Sequence, residues 1–242
     1  METTQSTSET GHAINVANFE TLITACLGHG AIYNPVNTAI QVPQLQAKLL
    51  LAQQKLNTTA LQKSILNTAI NERIEAFKGL EVLCTQVTNA FAVSGATDLD
   101  VSDLQTINKK IQGAKQKKAT PTPENPTPLQ VSNSQQSYDS KINFFTNFIQ
   151  FVETKPIYSP NETTLSVATL QSKLAEMILK NQRVDVATFD YNQSLNARND
   201  EFYNPTSGLV QLSKDIKKYA KSIFGAASPS YKQINSIEFK AL

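Results

Sequence analysis

The chain has 242 residues, a formal charge of +2 and only 17% charged residues, which is length enough for one large or two smaller cores. So even a balance leaves no electrostatic footprint for nucleic acid. With eight glycines, no tryptophan and abundant Gln, Asn, Thr and Ser, the composition disfavours a turn-rich β-sandwich and points to helices with a neutral polar surface.

Residues 1–12 are polar and read as a disordered N-terminal tail. They carry neither a basic region nor an apolar stretch of the kind a secretory leader needs. No run approaches the roughly 18 apolar residues of a membrane span. These observations lead to the expectation of a soluble, cytoplasmic protein, with leader-independent secretion as the alternative.

From Asn15 to Gly28, Val16, Phe19, Ile23 and Leu27 recur at the three-to-four spacing of an amphipathic helix, and Gly28 and Gly30 offer a stop. Tyr33-Asn34-Pro35 is turn chemistry. A long helix follows. Val42, Leu45, Leu49, Ala52, Leu56, Thr59, Lys63, Leu66, Ile70, Arg73 and Phe77 step alternately by three and four, the 3.5-residue seam of helices lying along one another. After Lys78-Gly79 the pattern resumes at Leu80, Leu83, Val87 and Phe91, which favours a kink there over a reversal. Gly95-Ala96 closes that helix, and Leu104–Ile111 reads as a short one.

Residues 114–136 contain Thr120-Pro121-Thr122-Pro123 and Pro126-Thr127-Pro128, which exclude helix and read as a semi-rigid linker. Beyond it the chain repeats itself. Asn18-Phe19, Ile32-Tyr33, Pro35, Leu45-Gln46, Lys48-Leu49, Asn67, Asn71, Arg73 and Phe77 return 125 residues later. Their counterparts are Asn143-Phe144, Ile157-Tyr158, Pro160, Leu170-Gln171, Lys173-Leu174, Asn192, Asn196, Arg198 and Phe202. Over positions 18–77 about 17 of 60 residues are identical without a gap, an architectural signal. The second copy carries its own seam from Val167 to Phe202. It then inserts four residues around Asn204-Pro205 and continues through Leu209, Leu212, Ile216 and Tyr219.

The fold expected is therefore all-α: an elongated antiparallel helical bundle built from two tandem homologous repeats with long, coiled-coil-like helices. Repeat 1 is placed at 13–113 and repeat 2 at 137–242, packed together as one bundle. Because each position has a second copy, a residue found in only one is a poor candidate for shared machinery.

Several groups of residues could carry chemistry. Cys26 and His29 stand three apart and could form one edge of a zinc site with Cys84 and His12, but the second copy has Phe151 and Thr154 there and no paired short spacing exists. No metal, cofactor or catalytic residue is expected. The group Asn67, Asn71 and Arg73, repeated as Asn192, Asn196 and Arg198, places two arginines on seam positions where aliphatic residues belong. It reads as a polar interlock between helices, or as a contact for an anionic group. Lys214, Lys217, Lys218 and Lys221 fall on one helical face, which could meet an anionic membrane or a partner. No phosphate-cradling glycine loop, GxSxG or HExxH motif is present.

Tyr33-Asn34-Pro35 with Tyr158-Ser159-Pro160, Asn71 with Arg73, Leu195-Asn196-Ala197-Arg198-Asn199, and Phe224-Gly225-Ala226-Ala227-Ser228-Pro229 together resemble a family of uncharacterised bacterial all-helical proteins with an internal two-fold repeat. That resemblance implies a repeated helical structure and no particular activity. The functional expectation is a non-enzymatic helical interaction or scaffold protein, monomeric or homodimeric, with an unidentified protein partner and no nucleic acid. The alternatives are a membrane-active helical protein resembling pore-forming toxins, and an enzyme or ligand binder with its site between the repeats.

Overall fold

The computed structural model describes residues 10–113 and 136–240, and every regular element among them is helical. Residues 1–9 of the expected tail and 114–135 of the expected linker lie outside the described residues. The helices are α1 (Thr10–Gly28), α2 (Val42–Phe77), α3 (Leu80–Ala92), α4 (Asp98–Ile111), α5 (Tyr138–Glu153), α6 (Val167–Tyr203), α7 (Leu209–Phe224) and α8 (Pro229–Asn235).

The chain forms two compact units that cut across the sequence halves. Unit 1 holds the chain up to Leu66 together with Ala187 onward, and unit 2 holds Asn67–Val186. Each of the two long helices contributes to both units.

In unit 1, α1 and the first part of α2 pack with the last part of α6, α7 and α8. Phe19, Leu22, Leu45, Phe202, Leu209, Ile216 and Ile234 form its fully buried centre. Here α2 and α6 run antiparallel, since Lys48 meets Glu201 and Thr59 Oγ1 meets the Ser194 carbonyl. The Lys48–Glu201 approach of 2.8 Å is held by charge, without an aligned hydrogen bond at Glu201 Oε1.

In unit 2, α3, α4, α5 and the first part of α6 enclose Leu80, Val87, Phe91, Leu104, Phe145, Phe148, Leu170 and Met177. Caps fix where its helices begin. Ser137 Oγ accepts from the Ser140 N–H, and Thr97 Oγ1 accepts from the Asp100 N–H. In α4, Asp98 and Asp100 sit in the first turn and Lys109 and Lys110 in the last, complementing the helix dipole.

Gly79 sits at φ +76°, a left-handed conformation that suits glycine, between α2 and α3. The chain bends there without reversing. Phe77 meets Tyr138, Glu81 meets Lys141, and Phe91 meets Phe151, so α2 and α3 advance together along α5. In unit 1 the turn from α6 into α7 is built differently. Asn204 Oδ1 accepts from the Thr206 and Ser207 N–H groups, and the Gly208 N–H donates to the Asn204 carbonyl.

Three expectations from sequence need correction. α1 begins at Thr10, so His12 belongs to a helix and not to a tail. It is buried edge-on to Phe202 and Tyr203. Leu27, in the last turn of α1, is half exposed, and the buried face of the helix ends at Cys26. The seam of α2 is also not one continuous face. Leu45, Ala52 and Thr59 are buried in unit 1 and Ala69 and Ala76 in unit 2, while Lys63 is exposed. The step from 59 to 69 turns an α-helix about 80° short of three full turns. The buried stripe therefore changes face, and a seam extrapolated through residue 63 misses the change.

Candidate interaction surfaces

The repeated Asn-Arg group does not assemble as a unit. Asn67, Asn71, Asn192 and Asn196 are exposed. Arg73, half-buried, reaches across unit 2: its Nη1 donates to Asn181 Oδ1 at 3.2 Å, and its guanidinium lies 4.0 Å over the Tyr138 ring. Asn181 in turn donates to Asp139 Oδ1 at 2.8 Å. Beside it, Glu72 Oε2 accepts from Lys180 at 2.8 Å and from Arg183 at 3.2 Å. Arg73 thus ties α2 to α5 and α6. Arg198 is more deeply buried, and its Nε and Nη2 donate to Asn199 Oδ1. The two arginines have unlike surroundings because Leu56 and Ala13 stand where the offset would put Asn181 and Tyr138. Arg73→Leu should cost about 1–3 kcal/mol, leaving Asn181 Oδ1 without its charged donor and removing the cation over Tyr138. Chemical denaturation followed by far-ultraviolet circular dichroism would register the loss.

Cys26 and Cys84 are both buried free thiols, lying in separate units. Burial pushes Cys26 up to about 11, opposed by a hydrogen bond with Tyr33, and pushes Cys84 up to about 12. His29 packs its ring 4.4 Å from that of Phe224. Among the described residues no three His, Cys, Asp or Glu side chains gather as a metal site would need.

Of the four lysines on α7, Lys214, Lys218 and Lys221 are exposed, while Lys217 is not part of a free face. Its Nζ donates to the Ile237 carbonyl at 2.6 Å and to the Asn235 carbonyl at 3.1 Å, and it sits over the Phe239 ring. Burial lowers its pKa, against an upward pull from Glu238. The apolar face of α7, including Leu209, Leu212, Ile216 and Ala220, is closed into the core. No helix among the described residues is long and apolar enough to cross a membrane.

Three carboxylates of unit 2 are held below the usual range of about 4. Glu72 is lowered by its hydrogen bond from Lys180 and the charge beside it. Burial alone would raise Glu81, but the Lys141 hydrogen bond at 2.6 Å, a backbone hydrogen bond and the Lys141 charge together more than offset it. Asp100 is lowered by Lys155 and by Thr97. A carboxylate depressed in the folded state stabilises it at pH values above its unfolded pKa, and that contribution disappears as pH falls through the folded one. Unit 2 should therefore lose stability below about pH 4. Replacing Lys141 and Lys155 with Met should flatten that dependence in thermal melts taken from pH 7 to pH 3.

The long helices also carry exposed large apolar residues. On α2, Leu50, Leu61 and Ile65 are 57%, 59% and 44% exposed and fall within about 60° of one another around the axis. On α6, Leu179, Val186 and Phe189 follow at steps of seven and three. These positions lie off the seam, so its three-to-four spacing does not single them out. Asn15 is fully buried, and apolar spacing does not mark a polar residue, although the Asn18-Phe19 echo lies beside it.

Comparison with protein-family models, curated proteins and solved structures finds no match to this chain.

Proposed function

We propose that the protein is a non-enzymatic helical scaffold that presents the outer faces of its long helices to a protein partner. The observation that carries this reading is the stripe of Leu50, Leu61 and Ile65 on α2, three large apolar side chains left exposed on one face of a long helix. Exposed apolar stripes at helical spacing are what a partner helix or groove engages. Phe189 on α6 adds an aromatic side chain of the kind that anchors interfaces.

A duplication underlies the architecture in this reading. It is supported by the 125-residue offset and by paired contacts at that offset: Tyr33 donates to the Ile40 carbonyl at 2.8 Å, and Tyr158 donates to the Leu165 carbonyl at 2.7 Å. Two free cysteines favour a reducing compartment, so the proposed site of action is the cytoplasm.

Cross-linking with affinity capture tests the scaffold. Leu61→Gln with Ile65→Gln should abolish capture of a partner while leaving the melting temperature unchanged. Undiminished capture would refute the role of the stripe, and binding of the unaltered protein to anionic liposomes at low salt would favour membrane activity instead.

A further inference from the structure

After α8 the chain leaves the helical pattern and crosses unit 1 as a segment of residues 236–240, lying against α1 and α7. Two helices hold its main chain. Asn15, with no exposed surface, uses both halves of its amide on one residue: Oδ1 accepts the Lys240 N–H at 2.7 Å, and Nδ2 donates to the Lys240 carbonyl at 2.9 Å. One turn further along α1, Asn18 Nδ2 donates to the Glu238 carbonyl at 2.6 Å. From α7, Lys217 grips the carbonyls of Asn235 and Ile237.

Side chains of the segment alternate with period two. Ile237 and Phe239 are half-buried against the core, with the Phe239 ring edge-on to Phe19, while Glu238 and Lys240 face water. The polar contacts fall on the backbone and are indifferent to sequence. Selectivity rests on the two apolar side chains. This is the division of labour by which proteins bind extended peptides.

We propose that the cleft between α1 and α7 is a peptide-binding groove, occupied by residues 236–240 as an internal ligand. Its external ligand is an extended segment of a partner protein carrying an aliphatic residue and, two positions later, an aromatic one. The internal segment has no helix or strand of its own, so its release is a local event that leaves the helices in place. Release takes both Lys240 bonds from Asn15 and leaves its Nδ2 only the 3.4 Å contact with the Tyr203 hydroxyl, and an incoming backbone restores them. The groove belongs to unit 1 alone. In unit 2 the repeated Asn143 is exposed, and Phe144 is met by Lys110 of α4. This site is independent of the α2 stripe, so either can fail without the other.

The test is fluorescence anisotropy of a labelled hexapeptide with the sequence of residues 235–240, added to the full chain. Ile237→Ala with Phe239→Ala weakens the internal segment and should tighten peptide binding by about tenfold or more, because the bound state no longer competes with an occupied groove. Adding Asn18→Ala should reverse that gain, and a peptide with both apolar residues replaced by Ala should not bind. A double variant that melts cooperatively yet binds no peptide overturns the proposal. So does binding that ignores Asn18→Ala. Hydrogen exchange on the unaltered chain gives a second reading independent of these variants: the Lys240 amide should exchange well before the amides of α1 and α7, and exchange only on global unfolding would also overturn it.

Discussion

Phe202→Ala is expected to destabilise unit 1 by about 3–5 kcal/mol. The side chain has no exposed surface and lies in a core shared with Phe19, Leu22, Leu45 and Leu209, edge-on to His12. Truncation removes the burial of a whole ring and leaves a cavity that packed helices close only in part. Phe202 belongs to the second half of the sequence, yet α1 and α2, from the first half, should loosen with it. Amide exchange in α1 would register this directly. Phe189→Ala on the same helix should change stability by no more than about 0.5 kcal/mol, since that ring is mostly in water.

Gly208→Ala is the second large effect, expected at about 1–3 kcal/mol destabilising. The backbone of Gly208 has φ −68°, which any residue adopts, so conformational strain is not the obstacle. Space is. An added Cβ would fall 2.5 Å from the Asn204 nitrogen, 2.6 Å from its carbonyl oxygen and 2.9 Å from the Phe202 carbonyl oxygen. All three are backbone atoms of the turn that Asn204 organises, and none can move without undoing that turn. Gly79→Ala makes a useful contrast. Its Cβ would meet nothing within 4 Å, and its cost of about 1–2 kcal/mol would come from the φ of +76°. Denaturant melts of the two variants would separate steric exclusion from backbone strain.

Much of the helical layout is legible in the sequence. The limits of α2 and α6 follow from three-to-four spacing that starts after Gln41 and Ser166 and stops at Gly79 and Asn204-Pro205. The start of α1 is not legible, because hydrophobic periodicity is blind to a buried face that includes His12 and Asn15. Nor is the role of Lys217. An amphipathic pattern assigns every lysine on its polar face to water, and a long flexible side chain can instead fold back to cap carbonyls from a segment 20 residues away. Arg73 was recognisable as an anomaly on a seam, but its partners Tyr138 and Asn181 lie on helices far along the chain. The greatest gap concerns which helices share a core. Each half carries a complete-looking pattern of one long and several short helices, and nothing in that periodicity tells α1 to pack with α7 in preference to α3.

That sharing is the central claim, and cleavage of the chain between its halves tests it most directly. A protease site placed within residues 114–135 allows the intact protein to be nicked after folding, and light scattering on a sizing column then gives the mass. Because Phe19 and Leu45 share a core with Phe202 and Leu209, and Phe91 shares one with Phe148 and Met177, the nicked protein should elute with the mass of the whole chain. It should come apart only in denaturant. Two folded fragments, each of half the mass, would contradict the interleaved cores.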